Sequence, residues 1–337
     1  MSVLDVFKGD SFSVSELTDA INRVPYKPGR LGQLGVFAPR GITQRTAIIE
    51  ERDGVLQLLV SKAWGAPADP AKPQARRARS FNVPHFPLVD TVLAAEVQGV
   101  RAFGSQSEVE GVAEVVQQKI ASMRQSHEAS LEWLRMGALK GVCFDGDLTS
   151  VIYNYYDEFG VVKQDDQDWD MHTAATEQAP MCTACIRLIQ DALGGTPYDH
   201  IHCFMGDNVW DKFVTNTSVK DAFDAYMALG DIRFAAGDIR PGYWYAGLYF
   251  ENYRGKVGST DFVVTDEGWV FPVGAPQLMQ TIYAPADYIE TVNTVGLPFY
   301  AKQQLMDFDK GVEIETQSNP LCINTRPRTV IRIYGAA

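Results

Sequence analysis

The sequence predicts an α+β fold, in which helices and strands are largely segregated along the chain. Three observations predict it. A turn signal sits between two β-prone runs at residues 45–60, a long apolar stripe of helical period runs from Val109 to Leu134, and short, often aromatic-rich strands fill the C-terminal part. At 337 residues the chain exceeds one ordinary compact domain, so two lobes are expected.

The opening stretch, about forty residues, carries Pro25, Pro28, Gly29, Gly32, Gly35, Pro39 and Gly41. Proline removes an amide donor and glycine loosens the backbone, so this stretch reads as an extended arm after a short helix at 14–21. An arm that cannot bury its own backbone lies on some other surface. Next, Arg45 to Arg52 and Val55 to Val60 flank Asp53-Gly54, whose residues both tolerate positive φ, a strong hairpin signal. The proline-rich run from Gly65 to Pro73 excludes helix and inner strand. Arg76, Arg77 and Arg79 then precede a returning stretch near Phe81 to Leu88. Together these describe a long two-stranded projection with a basic tip, marginal in water without a partner surface.

The longest helix follows. Val109, Val112, Val116, Ile120, Met123, His127, Leu131 and Leu134 recur at spacings near three and four. Ser107-Glu-Val-Glu110 has the pattern of a capping box, and Gly137 and Gly141 mark the far end. A helix over about 106–137 would be roughly 45 Å long. His127, on the apolar stripe, reads as a packed residue. Beyond it come a strand within 148–155, an acidic loop with Asp165, Asp166, Asp168 and Asp170, a helix from Cys182 to Leu193 ending at Gly194-Gly195, and a buried strand from His200 to Met205. Two short helices around 208–214 and 219–229 precede strands at 243–253, 269–273 and 280–284. The last strands, at 300–308, 312–316 and 329–334, are expected to return to the long helix.

Charge divides the chain. The net charge is −12, yet residues 23–79 hold eleven basic and four acidic side chains, a net of about +7, which leaves about −19 for the rest. A basic segment could grip nucleic acid, but an acidic body repels it, so the segment suits an acidic face on a neighbouring copy better. No run approaches the roughly 18 apolar residues that span a bilayer, and the N-terminus shows no signal-peptide pattern, so a cytoplasmic origin is expected.

Signals for chemistry are weak. Cys143, Cys182, Cys185, Cys203 and Cys322 are odd in number and scattered, which reads as buried thiols and not as a disulfide framework. Cys182, Cys185, His200 and His202 have residue types that suit zinc, but a helical Cys pair lacks the usual knuckle turn. The acidic loop lacks the glycine and final glutamate of a calcium loop. There is no phosphate loop, no G-x-S-x-G and no H-E-x-x-H. No catalytic, cofactor or metal residue is therefore expected.

Two segments give the sequence a family likeness. Val83-Pro-His-Phe-Pro-Leu88 continues to Gln98-Gly-Val-Arg-Ala-Phe-Gly104, and Gly296-Leu-Pro-Phe-Tyr-Ala-Lys302 leads through Gln317-Ser-Asn-Pro-Leu321 to Arg326-Pro327. Together with the element order they resemble the lambda-like major capsid protein E family of tailed bacteriophages, over nearly the whole chain. The resemblance implies the tailed-phage major capsid fold (Hong Kong 97 phage-like). It implies an N-terminal arm at 1–42, an extended hairpin (E-loop) at 43–92, a peripheral domain at 93–177 and 296–337 around the spine helix, and an axial domain at 178–295. It implies a non-enzymatic shell protein that forms hexamers and pentamers around double-stranded DNA, assembling in the host cytoplasm. The implied partners are copies of itself, a separate scaffolding protein, a portal and a decoration protein, with no sequence-specific nucleic-acid binding and no membrane. Arg76, Arg77 and Arg79 are the expected intersubunit contacts. An encapsulin-like compartment shell and a zinc-binding soluble enzyme using Cys182, Cys185, His200 and His202 are the alternatives.

Overall fold

A computed structural model describes residues 14–23, 29–52, 76–93, 96, 108–173, 176–227 and 242–335. Helix α1 (Val14–Arg23) buries Leu17 and Ile21, four apart on one face, and α2 (Arg30–Gln33) buries Leu31. These parts of the expected arm lie on their own chain. The Asn22 side chain donates to the Phe299 carbonyl at 3.0 Å, and the Leu31 amide to Glu132 at 2.7 Å. The apolar faces of α1 and α2 are the reason.

Strand β1 (Ala38–Gly41) leads to the hairpin arms β2 (Thr46–Arg52) and β3 (Arg76–Asn82). β2 pairs antiparallel with β3, from Thr46↔Asn82 to Arg52↔Arg76. The three arginines therefore belong to the returning arm and not to the tip. The Asp53-Gly54 turn and the 55–60 run lie outside the described residues, as do Ser107 of the capping box and the 98–104 segment.

After β4 (Phe86–Leu93) comes the spine helix α3 (Glu108–Lys140), whose 33 residues span roughly 50 Å. Val116, Ile120, Met123, His127, Leu131 and Leu134 of the predicted stripe are all buried. The helix passes through Gly137, where a Cβ would sit 2.9 Å from the returning Val142 carbonyl, and stops at Gly141 with φ +90°. Gly137 thus permits close approach of the chain, while Gly141 supplies the turn.

The hairpin β5 (Val142–Phe144) and β6 (Val151–Asn154), helix α4 (Tyr155–Phe159) and strand β7 (Gln167–Asp168) follow. Then come α5 (Gln178–Leu193), β8 (His200–Met205), α6 (Asp207–Thr215) and α7 (Thr217–Met227). The remaining strands are β9 (Gly242–Tyr245), β10 (Leu248–Asn252), the short pair β11 (Lys256–Val257) and β12 (Thr260–Asp261), β13 (Gly268–Val273), β14 (Met279–Tyr283), β15 (Tyr300–Leu305), β16 (Gly311–Ser318), β17 (Pro320–Asn324) and β18 (Ile331–Tyr334).

A six-stranded mixed sheet in the order β7-β18-β13-β8-β10-β9 is covered by α5, α6 and α7. All six residues of β13 and the last five of β8 are buried, as expected for inner strands. Two three-stranded sheets, β1-β14-β17 and β15-β16-β4, flank the spine helix. The apolar interior has two main parts. The larger runs from α2 and the hairpin root through the six-stranded sheet, and a smaller one packs Leu17, Ile21, Ile120 and Met123 against Phe299, Val312 and Ile314.

Candidate assembly surfaces

The hairpin is bolted to the body at its root. Along β2, Ala47 and Ile49 are buried while Ile48 is 56% exposed, the alternation of a strand with one packed face. Phe81 of β3 is fully buried, 5.4 Å from Tyr153, 6.2 Å from Tyr155 and 5.8 Å from Phe159 between ring centroids. The Tyr153 hydroxyl donates to the Asn82 carbonyl at 2.8 Å. Arg79 donates to the Phe159 carbonyl at 3.1 Å, and its guanidinium lies 5.5 Å from that ring's centroid. Of the three predicted contact arginines, Arg79 is thus engaged within its own chain. Arg77 and Arg76 stand farther out on β3, opposite Glu51 and Arg52.

The zinc alternative does not survive the topology. Cys182 and Cys185 lie on the buried face of α5, next to Cys203 on one face of β8. His200 and His202 alternate with Cys203 and so occupy the opposite face of that sheet. His202 is packed among Phe204, Tyr249 and Phe271, 3.2 Å from the Glu251 carboxylate. Among the described residues no group of three or more His, Cys, Asp or Glu is placed to hold a metal. Burial pushes all three thiols up, Cys185 to about 11, so they stay protonated. Excess EDTA is expected to leave the thermal midpoint unchanged within about 1 °C, because stripping a structural zinc costs several kcal/mol. A chelator-dependent drop with zinc released would overturn this. The acidic loop is also used locally: Asp166 holds Lys163 at 2.6 Å and Arg332 at 3.0 Å, and Asp170 accepts from Thr173 and Thr176, each at 2.9 Å.

The family model for phage major capsid protein E matches residues 13–334. This chain belongs to that family. It is 26% identical over 341 residues to the major capsid protein of Pseudomonas phage KPP10, covering 96% of this chain and 97% of the relative. The major capsid protein of Salmonella phage Felix O1 is 25% identical, covering 97% of each chain. Among solved structures, a prophage protein of E. coli CFT073 described as a capsid protein superposes with a TM-score of 0.58 at 15% identity, covering 96% of this chain and 98% of that one. The fold is therefore the phage capsid fold, and the family is one of structural virion proteins.

In this capsid-family subunit the described parts of the two motif segments meet. His85 of the first meets Asn319 of the second at 2.8 Å, and Asn319 also donates to the Pro285 carbonyl at 2.9 Å. Gly296 sits so close that a Cβ would fall 2.1 Å from the Tyr283 carbonyl. Arg326 donates to the Leu193 carbonyl at 2.6 Å, fixing the end of α5. These glycines, prolines and polar groups are structural.

Two buried charge clusters escaped the sequence reading. Arg30 holds Glu251 through contacts of 2.5–2.9 Å, with Glu251 4% exposed, which ties the N-terminal segment to β10. Glu267 joins the end of α3 to β18 through Lys140 and Arg332, at 2.9 Å each. Nothing marks either glutamate among 42 acidic residues, except that Glu251 interrupts an apolar strand.

Proposed function

We propose that this capsid family member is the main building block of a phage head, self-assembling into hexamers and pentamers of an icosahedral shell around double-stranded DNA. The observation that carries the reading is the family match over residues 13–334. A hairpin whose root is clamped by Phe81 and Arg79 supports it, because a rigidly held projection can reach a neighbour at a fixed angle.

In this reading residues 1–42 are the arm, 43–92 the extended hairpin, 93–177 with 296–337 the peripheral domain and 178–295 the axial domain. The lobes share strands, since β7 and β18 complete the six-stranded sheet. Assembly takes place in the host cytoplasm, with a scaffolding protein, a portal and a decoration protein as further partners. No described helix is long and apolar enough to cross a membrane. The encapsulin-like alternative gains nothing from the family match, which is to phage capsid proteins.

Arg76 and Arg77 are the contact residues, meeting acidic surface on the next copy; Arg79 holds the hairpin root that aims them. Register sets Arg76 opposite Arg52 and Arg77 opposite Glu51, at the outer end of the described hairpin. Arg76→Glu with Arg77→Glu should cut shell yield about tenfold while the subunit's melting is unchanged, as expected of lost charge complementarity. Equal shell yield would remove these arginines from the interface. Negative-stain images of the chain, expressed with its scaffolding partner, test the whole reading. A discrete monomer at every concentration would sink it.

A further inference from the structure

Phe308 is an aromatic side chain left bare at the turn between β15 and β16. It is 91% exposed, with φ 62° and ψ 22°. A bulky residue in the left-handed region is an outlier that usually marks a constraint beyond the local chain. Among the described residues the Lys310 ammonium lies 5.6 Å from its ring centroid. Exposing a phenyl group is unfavourable, and a partner that covers it offsets both penalties.

A second bare apolar feature lies just before β15. Ile289 is 91% exposed, Val292 62%, Val295 60% and Leu297 43%, a ridge of four bare apolar side chains within residues 289–297, interspersed with exposed Glu290, Asn293 and Thr294. A cluster of exposed apolar side chains rimmed by polar ones marks interaction sites on soluble proteins.

The ridge and the knob are held at opposite ends of one hairpin. The Leu297 amide donates to the Tyr300 hydroxyl at 2.8 Å and Lys302 grips Glu290 at 2.8 Å, which fixes the ridge at the Tyr300 end. Phe308 lies beyond the last pair, Leu305↔Val312. Five strand steps, about 17 Å, separate the two ends, so a copy's knob does not reach its own ridge.

Charge selects the occupant. Asp307 and Glu313 are exposed beside the knob, and Asp309 adds a third carboxylate to the sequence there against Lys310 alone. The ridge is rimmed by exposed Arg40 and Arg45, because the Gly296 amide donates to the Ile42 carbonyl at 2.9 Å and so seats the ridge on the end of β1. With Arg45 on Asp287 and Lys302 on Glu290, the three cations there exceed the two carboxylates by one charge. An acidic knob and a basic-rimmed ridge on one chain fit each other across two copies.

We propose that Phe308 of one subunit seats on the Ile289–Leu297 ridge of a neighbouring copy, flanked by contacts of Asp307 and Glu313 with Arg40 and Arg45. The contact is head-to-tail, the kind that propagates around a ring or across a closed surface. A single phenyl supplies on the order of 200 Å², well short of the roughly 800 Å² per partner of a stable interface, so this contact adds to the hairpin's. It rests on the shell reading above.

The test uses two single variants, Phe308→Cys and Val292→Cys, co-expressed with the scaffolding partner. The five native cysteines are all buried, so the introduced thiols are the accessible ones. Particles are imaged, oxidised and run on a non-reducing gel. A cross-linked dimer formed only in the mixture, at least about tenfold above either variant alone, supports the contact. Particles with no mixed cross-link, or with Phe308→Cys subunits cross-linked only to one another, overturn it and leave the shell reading standing. An absence of particles from the unsubstituted chain fails the shell reading itself and removes the contact with it. Phe308→Asp should also lower particle yield about tenfold, as loss of a buried aromatic anchor does, and Phe308→Leu should restore most of it. Unchanged yield in Phe308→Asp counts against the proposal.

Discussion

Glu267→Ala is expected to lower the unfolding free energy of the unassembled subunit by about 2–3 kcal/mol, the cost of losing a buried carboxylate's charge-assisted hydrogen bonds to the half-buried Lys140 and Arg332. The Glu267 carboxylate is 8% exposed at the side chain. It accepts from Lys140 at 2.9 Å, from the Trp269 indole at 2.9 Å and from Arg332 at 2.9 Å. Lys140 also lies 5.1 Å from the Trp269 ring centroid, and Arg332 continues to Asp166 at 3.0 Å. One carboxylate therefore joins the end of the spine helix, the central strand β13, the C-terminal strand β18 and the acidic loop.

The same cluster fixes the sign of the acid response. Burial alone would raise the pKa of Glu267, but the Lys140 charge and the three hydrogen bonds hold it at about 2, below its ordinary 4.5. A carboxyl with a depressed folded pKa contributes stability that is present above 4.5 and is lost as the pH falls toward 2. The gap between wild type and Glu267→Ala should therefore be widest near pH 7 and shrink below pH 4.5. Urea unfolding at pH 7 and pH 3 measures both. A loss under 1 kcal/mol at pH 7, or a gap that does not close in acid, would show that the cluster is a surface ion pair in effect.

Much of the fold was legible, and the reasons separate cleanly. Val116 to Leu134 could be read because helical periodicity is local and the helix is long enough to repeat it. The end of α5 at Gly194 was equally local, a left-handed glycine with φ 57°. The hairpin shows where local signals stop. Nothing in the turn chemistry at Asp53-Gly54 singles out 76–82, the described partner of β2, whose pairing puts Ala47, Ile49 and Phe81 into one core with Tyr155 and Phe159. Gly137 was read as a helix end because composition cannot show that Val142 returns against it. The pairings β1 with β14 and β7 with β18 join residues more than 150 positions apart, beyond any periodicity argument. The shell role was legible through the 83–88 and 296–327 segments and not through composition, since each sits where distant strands meet. Phe308 and the Ile289 ridge carried no sequence signal, because an isolated phenylalanine or isoleucine is more often core than surface.

His127 should give the chain a second, milder acid response, and it tests the spine helix directly. The side chain is 5% exposed, with Nε2 2.9 Å from the Thr316 hydroxyl of β16 and its ring 6.2 Å from Phe299. Burial lowers its pKa from 6.5 to about 4, and the Thr316 contact recovers only part of that. Charge nearby adds no stabilising partner, since the Arg124 cation lies 5.0 Å from the same Phe299 ring and is neutralised by Glu128 at 2.8 Å. The unfolded chain therefore takes up a proton near pH 6.5 that the folded chain refuses until about pH 4. Stability is complete above pH 6.5 and falls as the pH drops through this window, by roughly 3 kcal/mol at the lower end. His127→Gln keeps a polar group near Thr316 but cannot titrate. Plotted against pH, the wild-type minus variant difference should slope downward from pH 6.5 to 4 and level off outside it. Parallel curves would mean that the folded protein protonates His127 freely, and hence that the helix–sheet contact opens to water more readily than its packing implies. Because Thr316 sits on the strand that joins β4 to β15, loosening this one contact should expose the smaller core of Leu17, Ile120 and Val312 before the six-stranded sheet is disturbed. Hydrogen exchange at pH 4.5 should accordingly rise first in α1 and β16.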